Sequence, residues 1–445
     1  MNKNKTLLSI YLNEFNYSFI KKGAKKYNCK NIISFFKKKK INTFTKDKVQ
    51  NKNLDPWVQN VSINTGLPSN IHKVYNLGES FFHKQEQIWD LLAKNNKKTA
   101  IWGPMNSTYK KNKNLKLFFP DPWNFSQKTY PKKLKYLSML QNYYAQNYLN
   151  PKFSKIILYG ISFFYGLIVN NYILKILYYS PFIFWVFLKK GIKNYLLFLL
   201  LDLISVIALK KEVNNHKLDF ALIFLNSIAH FQHNHWDEKK NDKIFFKFID
   251  LICLELKSLE KKFNVSLVFN GFSQKKIKKE YILRPIDPKF FLLSLGVNFI
   301  KLEQNMTNGG LIFFKNNKER MENEKILKNY SFGKFYFFEI KKINNTTTFY
   351  RVQVKSFKNF KQNNIRSIKI NKYLSYDSQN RLRKNLKNYK INKHLLSDLE
   401  FLKCSGKHIK EGIILYKDIL IKKKFITKNK LENHKIFQII WDYFQ

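Results

Sequence analysis

The stretch Asp219-Phe-Ala-Leu-Ile-Phe-Leu225-Asn226-Ser-Ile-Ala-His230-Phe-Gln-His233-Asn-His235-Trp236 decides how the chain is read. Its apolar run is too short for a self-standing helix and suits a strand buried on both faces, stopping at the polar Asn226. Three other runs behave alike: Thr6–Leu12, ending at Asn13-Glu14; Thr99–Trp102, ending at Gly103-Pro104; and Val265–Phe269, ending at Asn270. Helical stretches separate them. One covers about 85–95. The clearest is Phe245–Phe263, with Phe248, Ile249, Ile252, Leu256 and Leu259 at helical spacing. This alternation predicts an α/β fold, with a mostly parallel central sheet flanked by helices. Ligands of such sheets sit beyond the carboxyl ends of the strands. The polar residues at those ends, Asn13, Glu14, Asp55, Asn226, His230, Asn270 and Ser273, are therefore the first candidates.

Composition narrows the function classes. At 44% hydrophobic residues in 445, the chain is not a disordered one. Cys29, Cys253 and Cys404 form no CxxC pair, so neither a disulfide scaffold nor a cysteine zinc site is indicated. The net charge is +51, yet 75 of the 81 basic residues are Lys. The chain is also rich in Asn, Ile, Phe and Tyr, as an AT-rich coding sequence dictates. Base readout and phosphate clamps favour Arg, so nucleic acid is not the expected partner. Most of the Lys reads as solvated surface. Attraction to an anionic membrane surface is best represented by Lys37–Lys40 and Lys422–Lys424.

The apolar run near the amino terminus is too short for a secretory signal, and a cytoplasmic location is expected, with membrane association open. Ile156–Leu174 and Ile176–Leu188 are free of charge but are diluted by Gly160, Gly166, Asn170, Asn171 and Pro181. They predict a helical insertion that packs on the core or rests on a membrane surface rather than spanning one. The expected organisation is an α/β core over 1–104, a helical insertion or cap over 105–215, core again over 216–334, a charged α+β insertion over 335–400, and a return to the core over 401–445.

Three of the nine histidines fall within His230–His235. Imidazole is the commonest metal ligand. A helix would put His230 and His233 on one face; an extended chain would pair His233 with His235. A second feature is Phe118-Phe-Pro120-Asp121-Pro122-Trp123. Two prolines make a rigid turn around Asp121, and Trp123 offers a flat face to a sugar or base; a purely structural turn is the competing reading.

The order of segments adds a resemblance. Asp55-Pro-Trp-Val-Gln-Asn-Val-Ser-Ile-Asn-Thr65-Gly66-Leu-Pro68, with His72 following, resembles the nucleophile region of the alkaline phosphatase superfamily. The stretch from Gln87 to Trp102-Gly-Pro104 looks like the helix-then-strand segment of its type I phosphodiesterase and nucleotide pyrophosphatase branch. Asn226-Ser-Ile-Ala229-His230 is similar to the branch's Asp-x-x-Gly-His metal motif, and Asn270-Gly271-Phe272-Ser273 stands where the family has Asp-His-Gly. Ser405-Gly-Lys-His408-Ile-Lys-Glu-Gly412 looks like the late segment that supplies the last ligand in some members.

The resemblance implies an alkaline-phosphatase-like sheet and a site with two metal ions, usually zinc, beside a Ser, Thr or modified Cys nucleophile. The departures are large. Pro56 stands where the nucleophile is expected, and Asn226 and Asn270-Gly271 replace the family's Asp and Asp-His. Only His230 and His408 match directly. The expected metal ligands are accordingly Glu14, Asn226, His230, His233, Asn270 and His408, for one or two ions of Zn or Mn if the chain is active. Asp55 and Thr65 are the catalytic candidates, and Asn13, Asp121 and Trp123 the substrate-binding ones. The implied activity is hydrolysis of a phosphodiester, pyrophosphate or sulfate ester, on a small-molecule or glycan-linked substrate. The alternative is a catalytically inactive member that binds or assembles.

Overall fold

The computed structural model describes residues 5–47, 54–82, 85–149, 151–236, 239–304, 308–332, 335–352 and 398–445, except 418, 420, 423–424 and 428–429. It divides into two units, Met1–Ile277 with Ser405–Gln445, and Lys278–Cys404.

In the first unit β1 (Leu7–Leu12) is central, parallel to β5 (Phe220–Leu225) on one side and to β6 (Val265–Phe269) on the other. Beyond β5 lie β3 (Thr99–Trp102) and β4 (Leu115–Phe119), both parallel. Beyond β6 comes β15 (Glu411–Lys417), antiparallel, followed by β2 (Lys39–Phe44), β17 (Lys430–Glu432) and β16 (Ile426–Thr427).

Side-chain alternation assigns the two faces. Leu8, Ile10 and Leu12 join one core with Ala221, Ile223 and Leu225, while Leu7 and Tyr11 join another with Phe220, Leu222 and Phe224. The first face is covered by α1 (Tyr17–Lys26), α2 (Lys30–Phe35), α9 (Asn194–His216) and α11 (Lys239–Glu260). The second is covered by α3 (Pro56–Thr65), α5 (Ile88–Lys94) and α14 (Ile436–Phe444). With both faces dry, the central strands must be apolar throughout, which is why they stood out in the sequence. The short α4 (Ser69–His72) follows α3, and α10 (Ser227–His235) follows β5 directly.

The helical insertion is α6 (Lys135–Asn147), α7 (Phe153–Val169), α8 (Ile173–Lys190) and α9. It belongs to the first unit, because Leu137, Leu167, Leu196 and Val206 share the core of β1 and β5. Among the described residues no helix is long and apolar enough to cross a membrane.

The chain leaves the first unit along β7 (Ser273–Pro285) and returns along β14 (Leu399–Ile409). The second unit holds an antiparallel sheet in the order β12 (Phe338–Lys342), β13 (Thr347–Val352), β9 (Gly309–Phe313), β8 (Lys301–Gln304). It also holds α12 (Pro288–Ser294), α13 (Asn317–Lys328) and the small hairpin of β10 (Ser331–Phe332) and β11 (Phe335–Tyr336). Phe291, Leu292, Ile312, Leu327, Phe338 and Tyr350 form its own core. The sequence reading started this insertion at 335 and assigned all of 216–334 to the main core; the structure starts it at Lys278. Lys275, Lys276 and Lys278 break the apolar pattern of β7, so its boundary does not show as a buried strand. Residues 353–397, and Lys423 and Lys424 of the basic run, lie outside the described residues.

Ile223, fully buried at the heart of the sheet, tests this architecture. Ile223→Ala is expected to cost about 2–5 kcal/mol in denaturant unfolding, since truncation leaves a cavity that packed neighbours fill only partly.

Candidate metal centre

Parallel pairing brings three strand ends to one edge. Leu12 is in register with Leu225, and Tyr11 with Phe269, so Asn13-Glu14, Asn226 and Asn270 all emerge together. β15 runs antiparallel to β6, with Ile414 opposite Phe269, so the residues preceding β15 also arrive at this edge. That geometry delivers His408 from 394 residues along the chain to Glu14.

Glu14 lies in the left-handed region with φ of +51°, a conformation an L-residue adopts at a cost of about 1–3 kcal/mol. It turns the chain sharply off β1. Its carboxylate is buried and meets two histidines: Oε2 is 2.9 Å from His233 Nε2 and 2.8 Å from His408 Nε2. The two imidazole nitrogens are 3.4 Å apart. Among the described residues these three form the one group of His, Cys, Asp or Glu able to share a metal ion, with donor atoms all within 4.8 Å.

The surroundings hold the donors in place. Gln274 Nε2 donates to Glu14 Oε2 at 2.6 Å, and Asn13 Nδ2 donates to Oε1 at 3.2 Å. Gln232 donates to the Glu14 carbonyl and accepts from Asn16 N. His408 Nδ1 bonds the Leu54 carbonyl. A carbonyl there requires a proton on Nδ1, so in the neutral ring Nε2 carries the lone pair, as metal-ligating histidines require. Ser405 Oγ receives the Trp236 N–H and lies 3.0 Å from the Gln232 carbonyl, pinning the strand of His408 to α10. Gly406 makes this approach possible, because a Cβ there would stand 2.8 Å from the Gln232 carbonyl oxygen.

Electrostatics agree with the geometry. Burial would raise the Glu14 carboxyl, but His408 and His233 hold it well below the usual carboxylate range. Burial would lower His408, but the Glu14 charge and hydrogen bond, the Leu54 carbonyl and the Asp55 charge raise it. The donor set, one carboxylate and two imidazoles, fits a single Zn- or Mn-type ion, and the 3.4 Å between imidazole nitrogens is the spacing of tetrahedral ligands with bonds of about 2.0–2.1 Å. The buried Asn13 Oδ1 has no hydrogen-bond partner among the described residues.

Other candidates are placed differently. His230 is outside the cluster; its ring stacks on Phe198 at 3.5 Å, and burial pushes its pKa down to about 3. It is His233, one turn further along α10, that reaches Glu14. Asn226 precedes α10 and accepts from Asn13 Nδ2 at 2.7 Å, while Asn270 bonds Phe15 O and Ile413 N; both join neighbouring segments instead of forming the cluster. Asp55 precedes α3 beside His408. Thr65 ends the same helix, about 15 Å away at 1.5 Å per residue, and its hydroxyl donates to Val61 O. The neighbouring Ser62 forms a buried trio with Asp47 and His72 at 2.6 and 3.0 Å. Here Val74 N–H donates to His72 Nδ1, so the ring proton is on Nε2 and points at Ser62 Oγ, whose own proton goes to Asp47. That order of bonds is the reverse of a serine-activating triad.

Asp121 and Trp123 lie in the turn after β4. Asp121 is buried and accepts from Asn106 N and Trp123 N, and Trp123 packs on Phe125 and Tyr148. Sequence reading missed Gln232, Gln274 and Ser405. Only the Ser405 to His408 spacing hinted at one of them.

The sequence matches no family model and no curated protein. Solved structures do match. Phosphonoacetate hydrolase from Sinorhizobium meliloti aligns at 9% identity over 99% of this chain and 96% of that one, with a TM-score of 0.45. Murine ectonucleotide pyrophosphatase / phosphodiesterase 5 aligns at 10% identity over 99% and 95%, with a TM-score of 0.45. Thermus thermophilus alkaline phosphatase aligns at 9% identity over 99% and 91%, with a TM-score of 0.43.

The turn at Asp121 has a pH signature. Burial pushes its carboxyl up to about 7 although backbone N–H groups pull it down. The unfolded chain ionises near pH 3.9. The folded state therefore binds the extra proton between these values, and this group's contribution to stability falls as pH rises from about 4 to about 7. Asp121→Asn is expected to flatten that fall, read as urea midpoints at pH 4.5 and 7.5.

Proposed function

We propose that the protein is a divergent member of the alkaline phosphatase superfamily that binds one divalent metal ion at Glu14, His233 and His408 and hydrolyses a phosphate or sulfate ester. The observation that carries this reading is the convergence of one buried carboxylate and two imidazole nitrogens within 4.8 Å at the carboxyl edge of a parallel sheet. One carboxylate offsets a single dication, not the pair that the family's fuller set of aspartates supports. The ion, when bound, supplies an acidified water and a positive charge against the ester oxygen.

The chain's own residues do the rest. Pro56 has no nucleophilic atom, and the hydroxyls of Ser62 and Thr65 are bonded elsewhere, so attack by water is favoured over a covalent enzyme intermediate. We assign the proton-accepting role to Asp55, which follows Leu54, whose carbonyl bonds His408. A cavity of about 320 Å³ is lined by Asn16, Phe19, Lys22, Lys26, Trp236 and Asp242; Asn16 and Trp236 bond Gln232 and Ser405, which pack around the cluster. Its two ammonium groups would attract the negative charge of an ester, against one carboxylate on the same wall.

Protein purified without chelator is expected to carry about one equivalent of Zn or Mn by elemental analysis. His233→Ala and His408→Ala each abolish it, whereas His230→Ala retains it. Hydrolysis of bis-(p-nitrophenyl) phosphate or p-nitrophenyl sulfate should fall in the two ligand variants by more than the ~10–100-fold typical of losing an outer-shell partner. Well-folded wild type that takes up neither metal overturns the proposal. Metal binding without hydrolysis of either ester class leaves a metal-binding scaffold in place of an enzyme.

A further inference from the structure

The insertion helices carry two largely exposed apolar stripes. On α7, Ile157, Ile161, Phe164 and Ile168 are 48–65% exposed, at intervals of four, three and four residues. On α8, Leu174, Tyr178, Trp185 and Leu188 are 42–71% exposed and recur with the same helical period. The opposite faces are fastened to the core: Leu167, Tyr179 and Val186 are buried, and Tyr172, in the turn between the helices, donates to Glu212 at 2.8 Å. The stripes are thus the outward faces of an anchored pair. Isolated exposed apolar residues are ordinary, but a run of this extent marks an interaction surface.

Charge indicates the occupant. The 30 acidic residues of the chain would place about five in any 80 positions, yet Pro122–Leu201 contains none, against ten Lys. Lys152 and Lys155 flank the start of α7, and Lys189 and Lys193 the end of α8. Ammonium groups on flexible stems at helix ends, and a Trp185 within the apolar stripe, are the pattern of helices lying in a membrane interface. Neither helix meets the length and apolarity of a span.

We propose that α7 and α8 insert their outward faces into the headgroup and upper acyl region of an anionic lipid bilayer, holding the first unit on a membrane surface without crossing it. The absence of carboxylates lets the face approach anionic lipid without repulsion, and the terminal lysines meet the headgroups while the stripes enter the acyl boundary. This proposal is independent of the metal centre.

Vesicle flotation tests it. The full chain is mixed with phosphatidylcholine vesicles, or with vesicles containing 40% phosphatidylglycerol, at 0.1 and 1 M NaCl. Wild type is expected to float with the anionic vesicles, more weakly at 1 M NaCl and with neutral lipid. The double variant Ile161→Glu/Leu188→Glu, altered only at exposed positions, should lose partitioning by about tenfold or more while keeping its melting temperature and metal content. Lys189→Glu/Lys193→Glu should lose the anionic preference. Failure of wild type to float at 0.1 M NaCl, or undiminished flotation of the Ile161→Glu/Leu188→Glu variant, overturns the proposal. So does light scattering that shows wild-type dimers, Glu-variant monomers and no vesicle binding, which would make the face a contact between two copies.

Discussion

The Glu14 carboxylate is the point where separate parts of the first unit meet. It stands at the end of the central strand in a left-handed conformation, buried, and receives contacts from α10 through His233, from β7 through Gln274 and from the returning β14 through His408. A buried carboxylate survives only when paired and hydrogen-bonded, so these segments are held as a set. Removing the charge would take from two half-buried imidazoles and an amide the acceptor they share. The backbone strain at Glu14 is offset by the same contacts, and strain persisting at a strand end is characteristic of a functional position.

The apolar helical layer and this site are mechanically connected. Asp202, on α9, accepts the N–H groups of Asn226 and Ser227 at 3.2 and 2.9 Å and so caps α10, the helix that carries His233. Burial pushes the Asp202 carboxyl up to about 6 in spite of those bonds. A displacement of α9 would reach the Glu14–His233–His408 cluster through this cap. The packing that seats α7 and α8 on the core therefore also sets where His233 stands.

The strand runs were legible because they are buried on both faces. Each of Thr6–Leu12, Thr99–Trp102, Asp219–Leu225 and Val265–Phe269 became a strand of the parallel core, within a residue of its expected ends. Glu14 and His408 were both among the candidate residues. Which histidine of His230–His235 would join them was not legible. His230 and His233 share a helical face, and only the stacking of Phe198 on the His230 ring separates them. Phe198 comes from α9, which no local pattern links to α10. Asp121 and Thr65 show a related limit: a polar residue near a turn or helix end looks the same in sequence whether it faces a ligand or the backbone, and here their side chains bond backbone groups.

By itself the sequence determined the α/β class, the edge of the sheet where polar chemistry gathers, and the apolar, carboxylate-free character of the insertion. Those properties follow from periodicity and composition, which are local. Tertiary structure decided the membership of the Glu14–His233–His408 cluster, the diversion of Ser62 and Thr65 into internal hydrogen bonds, and the start of the second unit at Lys278. Each depends on atoms brought together across long separations, as His408 is by the antiparallel return of β15, and pairings of that range leave no periodic trace in the chain.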